Sequence, residues 1–373
     1  MNFLLVCGGT AGHINPALAI ALELRRRMPD ARILFVGAGK DLEKRLIPLA
    51  GFHLVNIKMS GLKRGFSPND FVSNLKTARN LATAGIKAEK LIRRFAPDAV
   101  VGTGGYICYP ILKKASQMGI PTLIHGSDAI PGLTTKMLSS SVDRVLVSFP
   151  GLEKLYRHPQ RVVFTGTPVR SGFSTMPEDG KPSGDKSRPL IVSFWGSLGA
   201  EHMNETMAEL IKINIKSRQF DHIHAVGKKG GAQELRNRLR RLGAPDDLPT
   251  GIDVREYIDD MPSVMAAADL VICRAGASTI AELTVLGKPV ILIPSPYVTN
   301  HHQEENAKQL QNAGGAEVIF EKDCTGEALF KAISSLLGDK DRLKRMSDAQ
   351  KAFAAPDASE RIVDIVMEVC SNR

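Results

Sequence analysis

The sharpest candidate for chemistry in this 373-residue chain is the run Arg274-Ala275-Gly276-Ala277-Ser278-Thr279-Ile280-Ala281-Glu282. An apolar strand, Leu270–Cys273, runs into small residues and then into a helix with hydroxyl side chains at its start. The unsatisfied N–H groups of a helix start, its dipole and the hydroxyls of Ser278 and Thr279 suit phosphate oxygens. Glu282, inside the second turn, can accept two hydrogen bonds from a ribose diol. The pattern therefore reads as a nucleotide diphosphate site. The plainer alternative is a helix capped by Ser278, with Glu282 on a solvated face.

Three further loops carry glycines where strands feed helices: Gly8-Gly9-Thr10-Ala11-Gly12-His13, Gly102-Thr103-Gly104-Gly105-Tyr106 and Gly196-Ser197-Leu198-Gly199-Ala200. Glycine lets backbone approach a ligand closely, and the Ser197 hydroxyl with its neighbouring N–H groups could hold a diphosphate. His13 stands where a proton acceptor or a phosphate donor could act; alternatively it is a helix-start residue satisfied by backbone. The first loop lacks GxGxxG spacing, and no acid ends the second strand at Phe35-Val36-Gly37-Ala38, which disfavours a dinucleotide dehydrogenase. In the polar stretch Asn300–Asn306, His301 and His302 are adjacent rather than four apart, so no metal site is expected. The Gln303 amide there could bind sugar hydroxyls.

The elements that must position these loops alternate short apolar strands with amphipathic helices, the pattern of parallel α/β sheets. Expected strands are Phe3–Cys7, Arg32–Val36, Ala99–Val101, Thr122–His125, Arg144–Val147, Val162–Phe164, Leu190–Phe194, His222–Val226, Leu270–Cys273, Val290–Ile293 and Ala316–Ile319; helices include Pro16–Arg27, His202–Lys216 and Ser278–Leu286. Two glycine turns in similar settings, after FLLVC and after IVSFW, suggest two Rossmann-like domains facing each other across a cleft. Expected boundaries are 1–165, 166–355 and a closing helix in 356–373 that packs back toward the first domain, with a Gly/Pro/Ser-rich hinge and loop over Thr165–Pro168 and Met176–Pro189.

Composition narrows the class. The chain is 43% hydrophobic and 5% aromatic, which suits a soluble globular protein and not a stacking platform for single-stranded nucleic acid. Its five cysteines show no CxxC spacing, as expected of free thiols in a reducing compartment. Neither a signal peptide nor a membrane span is legible. The net charge of +10 is lopsided: residues 1–164 carry 23 Lys+Arg against 10 Asp+Glu, and the remainder 26 against 29. A basic first half predicts a polyanionic partner, and without nucleic-acid-binding motifs an anionic lipid surface is favoured.

GGTAGHINPALAIA, GTGGYICYP, IPGLTTK, GTPVR, GSLGA, RAGASTIAEL and PSPYVTNHHQEENA follow one another along the chain. In these motifs it resembles the bacterial cell-wall family of UDP-N-acetylglucosamine–N-acetylmuramyl-(pentapeptide) pyrophosphoryl-undecaprenol N-acetylglucosamine transferases. The resemblance implies a GT-B fold, an inverting transfer without metal or other cofactor, UDP-GlcNAc in the second domain and the undecaprenyl-linked acceptor lipid I at the first. It further implies that Glu282 holds the ribose diol, that the Ile258 backbone meets uracil, and that Ser197 and Thr279 hold the diphosphate, with Ala277 and Ser278 also among the donor-binding residues. Arg170 would contact the nucleotide, Gln303 and the Asp128 position the sugar, and Thr10, Ala11 and Gly12 would lie near the donor. Gly104, Gly105 and Tyr106 would form an acceptor diphosphate loop, with His13 as base or positioning group. The family docks peripherally on the cytoplasmic face of the membrane, and Leu62–Phe95, with Phe66, Phe71, Leu75 and many Lys/Arg, resembles its docking region.

Two positions depart from the family pattern. Where it usually has His-Glu-x-Asn, this chain has His125-Gly126-Ser127-Asp128, and Thr167 replaces a frequent Asn. An ionised Asp accepts hydrogen bonds but cannot donate them, so donor-sugar preference or turnover could differ. The competing functions are a UDP-GlcNAc 2-epimerase, which shares the two-domain plan, another lipid glycosyltransferase, and a non-catalytic sugar-nucleotide sensor.

Overall fold

The computed structural model describes residues 1–57, 83–174, 188–196, 198–228 and 231–372. The chain divides into two compact units, Met1–Arg170 with Ala355–Arg373, and Ser171–Ala354.

The first unit alternates β1 (Asn2–Val6), α1 (Ala11–Arg27), β2 (Arg32–Gly37), α2 (Asp41–Leu49), β3 (His53–Asn56), helical residues 83–95 (α3), β4 (Ala99–Gly102), α4 (Cys108–Gln117), β5 (Thr122–Gly126), α5 (Leu133–Leu138), β6 (Arg144–Val147) and β7 (Val162–Phe164). All pairings are parallel, in the order β3-β2-β1-β4-β5-β6-β7, with Leu4 opposite both Leu34 and Val100. Strands as apolar as Leu4-Leu5-Val6 must be covered on both faces, and α1 supplies Ile14, Ala17, Ile20, Ala21 and Leu24 at helical spacing to one of them. The terminal helix α14 (Ala358–Ser371), which ends the chain's described part, adds Ile362, Val363 and Val366 to the same core, and its Asp364 pairs with Arg27.

The second unit runs α6 (Ser171–Ser174), β8 (Leu190–Phe194), α7 (Glu201–Ser217), β9 (Asp221–Ala225), α8 (Ala232–Arg241), β10 (Ile252–Arg255), α9 (Met261–Ala267), β11 (Leu270–Cys273), α10 (Ala277–Leu286), β12 (Val290–Leu292), α11 (His302–Asn312), β13 (Ala316–Val318), α12 (Gly326–Gly338) and α13 (Lys340–Phe353). Its parallel sheet is ordered β10-β9-β8-β11-β12-β13.

Each sheet therefore reverses its winding once, between β1 and β4 in the first unit and between β8 and β11 in the second. Loops beyond the carboxyl ends of such strand pairs are where open α/β sheets bind ligands. All four glycine-bearing loops stand there.

The two Rossmann-like sheets agree with the sequence reading. Helix α1, however, begins at Ala11 and carries Pro16 inside it, whereas the sequence reading starts it at Pro16; His13 thus lies in its first turn. Strands β3 and β10 have no counterpart among the expected strands.

Candidate functional site

In the first unit the loop after β1 is gripped from within. Glu43, completely buried at the third position of α2, accepts the Gly9 N–H at 2.9 Å, the Gly39 N–H at 2.8 Å and the Lys40 N–H at 3.0 Å. Nothing in the sequence reading pointed to it. The usable signal was an acid in the first turn of a helix that follows the glycine turn Gly37-Ala38-Gly39, the position of a helix-capping carboxylate.

His13 Nδ1 lies 2.8 Å from the Gly8 carbonyl. A carbonyl only accepts, so Nδ1 donates, and in the neutral ring Nε2 is left as the acceptor. The ring is half-buried and lies against Gly104, where a Cβ would come within 2.5 Å of His13 Cδ2. Gly104 and Gly105 have φ of +119° and +88°, and at Gly105 a Cβ would stand 2.6 Å from the Gly8 carbonyl oxygen. Thr103 Oγ1 donates to the His13 carbonyl at 2.7 Å. The loops after β1 and β4 are thus one packed assembly. Thr10 is the N-cap of α1 without a side-chain cap, so the helix start at Thr10, Ala11 and Gly12 presents amide hydrogens. Tyr106 is half-buried, and burial, with Glu43 adding to it, raises its hydroxyl pKa.

The departing stretch His125–Asp128 ends β5. His125 is buried; its Nε2 faces the Gly166 carbonyl at 3.0 Å, and its pKa falls to about 4, driven by desolvation and in lesser part by His13, against the opposing pull of the Gly166 hydrogen bond and Asp128. Thr167 Oγ1 donates to Ser148 Oγ at 2.6 Å, and Ser148 Oγ lies 3.2 Å from His125 Nε2, so Thr167 joins a buried polar network. The Gly126 α-carbon faces the Tyr156 hydroxyl, which burial pushes to a pKa of about 12. Asp128 and Arg170 are half-buried in this same unit.

In the second unit, Gly276, not Ser278, caps α10, and it provides no side-chain cap. Ala277, Ser278 and Thr279 form the open first turn. The Ser278 hydroxyl is buried and has no hydrogen-bond partner among the described residues. Glu282 is only 8% exposed. Neither half of the capped-helix alternative therefore holds. Arg274 is held within the protein: it pairs with Glu321 at 2.6 Å, donates to the Ile293 carbonyl at 3.2 Å and lies over the Trp195 ring.

A pocket of about 360 Å³ lies beside this turn, lined by Trp195, Gly199, Arg274, Tyr297, Gln303 and Glu321 among others. Gln303 Oε1 accepts the Ser295 N–H at 2.9 Å, which directs its amide as a donor. The preceding Asn300 and His301 both have left-handed backbone, φ 55° and 50°, a strained pair at the start of α11. Gly199, φ +78°, abuts the Val226 carbonyl, where any Cβ would clash. Ile258, 2% exposed, follows exposed Tyr257 past the end of β10. Ser197 lies outside the described residues, as does most of the Leu62–Phe95 stretch, including Phe66, Phe71 and Leu75.

Two Rossmann-like domains, each with ligand-suited loops at its switch point, are the architecture of GT-B glycosyltransferases. Residues 3–147 match the glycosyltransferase family 28 N-terminal domain and residues 190–362 its C-terminal domain. The UDP-N-acetylglucosamine–N-acetylmuramyl-(pentapeptide) pyrophosphoryl-undecaprenol N-acetylglucosamine transferase of Acetivibrio thermocellus is 43% identical, covering 100% of this chain and 99% of the relative. A crystal structure of Acinetobacter baumannii MurG superposes with a TM-score of 0.75 at 25% identity, covering 99% of this chain and 100% of that one. The UDP-GlcNAc 2-epimerase of Neisseria meningitidis bound to UDP-GlcNAc gives 0.66 at 13% identity, covering 99% and 100%, a likeness of fold alone. The chain belongs to glycosyltransferase family 28, among the UDP-N-acetylglucosamine–N-acetylmuramyl-(pentapeptide) pyrophosphoryl-undecaprenol N-acetylglucosamine transferases.

Proposed function

We propose that this protein transfers N-acetylglucosamine from UDP-GlcNAc to lipid I, forming lipid II for peptidoglycan synthesis. The observation that carries the reading is the open start of α10, where a buried, unpartnered Ser278 hydroxyl and uncapped amides precede buried Glu282. In this reading Ala277, Ser278, Thr279 and Ser197 hold the diphosphate, Glu282 the ribose, the Ile258 backbone the uracil and Gln303 the sugar. Arg170, Asp128 and Thr10–Gly12 complete the donor contacts, and Gly104–Tyr106 serve the acceptor diphosphate.

The acceptor's sugar hydroxyl oxygen bonds to the anomeric carbon as the bond from that carbon to the β-phosphate oxygen breaks. The configuration inverts. His13 Nε2 takes the hydroxyl proton, and the electron pair leaves with UDP. Charge grows on the β-phosphate, so donors at the α10 start bind the transition state more tightly than the ground state, with no metal required. The donor loops carry no Asp-x-Asp motif of the kind that holds a metal–diphosphate complex.

The basic first unit is the membrane-facing one, docked peripherally on the anionic cytoplasmic face of the cell membrane. Its exposed Ile86, Leu133 and Met137, with Lys87, Lys90 and Lys136 close in sequence, support this. No helix among the described residues is long and apolar enough to cross a membrane.

The test is to incubate purified protein with radiolabelled UDP-GlcNAc, a lipid I analogue and EDTA. Labelled lipid and stoichiometric UDP are expected. Label that stays off the lipid would overturn the reading, and epimerised donor would replace it with the epimerase.

A further inference from the structure

We propose that Glu43 is a positioning residue whose buried carboxylate, by gripping the Gly8–Gly9 peptide, fixes His13 in the tautomer with Nε2 ready to accept a proton. This rests on the transferase reading above for its catalytic consequence, though not for its geometry.

The Gly9 N–H and the Gly8 carbonyl belong to one peptide unit, which is planar and points its two polar groups in opposite directions. Glu43 Oε1 takes the N–H at 2.9 Å, and His13 Nδ1 donates to the carbonyl at 2.8 Å. The same rigid plane therefore connects the carboxylate to the imidazole. Tilting that peptide moves both bonds together. Hydrogen bonding at the N–H also polarises the carbonyl, which strengthens its hold on the Nδ1 proton.

Glu43 is built for this and for little else. It is wholly buried, and it makes no ion pair among the described residues. Its charge is held by three backbone N–H groups and by the start of α2, where the helix dipole favours an anion. The second oxygen, on Gly39 and Lys40, anchors the carboxylate to the β2–α2 loop, so the grip on Gly9 has a fixed base. The two flanking glycines make room: a Cβ at Gly37 would stand 2.5 Å from Oε2, and one at Gly8 3.3 Å from Oε1. Gly105 leaves the opposite side of the Gly8 carbonyl clear, and Gly104 admits the His13 ring. A carboxylate is required because it accepts on both oxygens; a carboxamide would turn an N–H against an N–H.

The experiment compares Glu43→Gln, His13→Ala and the double variant. Kinetics are measured with UDP-GlcNAc and a lipid I analogue, and His13 tautomer by ¹⁵N NMR of the imidazole in substrate-free protein. Glu43→Gln should lower kcat roughly ten- to a hundred-fold, the scale seen when outer partners of a metal-bound histidine are removed, and leave the donor KM unchanged. It should cost less than about two-fold in the His13→Ala background, the signature of two residues acting as one unit. The wild-type ring should be protonated at Nδ1, and the variant ring should show a mixture. Equal loss of kcat in both backgrounds, or an unchanged His13 tautomer in Glu43→Gln, would overturn the proposal. If Glu43→Gln does not fold, Glu43→Asp keeps the charge while shortening its reach, and the same coupling and tautomer comparisons apply. Loss of the transferase reading itself would show as an inactive wild type, leaving the NMR comparison intact.

Discussion

The β1–α1 loop of the first unit and the β11–α10 loop of the second each stand at the switch point of their sheet, on opposite sides of it, yet they treat negative charge in opposite ways. In the first, an internal carboxylate already occupies a loop amide, and the loop's carbonyl is committed to His13. In the second, the nearby cation Arg274 is neutralised by Glu321, and the helix start is uncapped with a buried serine hydroxyl unpartnered. One loop is closed around its own anion and, in the proposed reading, presents a base. The other is open, and in that reading it receives the donor's diphosphate. A strand–glycine–helix start is therefore not a function in itself; what fills its amides decides whether it binds or acts.

The comparison can be broken by substitution on each side. His13→Ala should lower kcat by about 10²–10⁴-fold with the donor KM little changed, checked by steady-state transfer kinetics. A comparable loss in the donor KM would put His13 with the binding loop instead. Glu282→Ala should do the reverse, raising the donor KM by roughly ten- to a hundred-fold, as expected for a charged hydrogen bond of about 1.5–3 kcal/mol. A smaller effect is expected from Ser278→Ala. UDP should bind about two- to ten-fold more weakly, for a neutral hydrogen bond of about 0.5–1.5 kcal/mol. The unliganded protein should be no less stable, since a buried hydroxyl without a partner is unfavourable. Calorimetry with UDP and thermal melts without it separate these two outcomes.

The last contrast is absent at neutral pH. The second unit buries His222 and His224, bridged by Ser193 Oγ at 2.8 and 2.7 Å, whereas the first buries His125. Desolvation lowers His222 to about 4 and His224 to about 3, the latter also repelled by His222; His125 falls to about 4. Folded values below the unfolded 6.5 mean that the unfolded chain binds protons more readily. The associated stability is complete above about pH 6.5 and is lost as pH falls toward 4 and 3. Hydrogen exchange at pH 5 against pH 7 should show the second unit losing more protection than the first.

Much of the frame is legible in the sequence because parallel strands buried on both faces are continuous apolar runs, such as Leu4-Leu5-Val6 and Leu270–Cys273. The two strands that escape notice, β3 and β10, are edge strands with polar residues interspersed (His53 and Asn56, Asp253 and Arg255), so neither reads as an apolar run. The start of α1 is obscured by Pro16, which the helix accommodates after five residues instead of opening on it. At the site, Ser278, Thr279 and Glu282 announce themselves because local spacing alone places them on one helix start. Glu43 does not, because its role depends on a loop 34 residues away in sequence. The absence of an acid at the end of β2 was plain in the sequence; that an acid from the next helix turns back beneath the glycine loop was not.

The central claim, that the second unit's loop receives the nucleotide while the first unit's loop is closed by Glu43, is tested most directly by a crystal structure with bound UDP. The account predicts the β-phosphate on the Ala277–Thr279 turn and the ribose hydroxyls on Glu282, with the Gly9 N–H still on Glu43. A diphosphate seated on the Gly8–Thr10 turn with Glu43 displaced would contradict it.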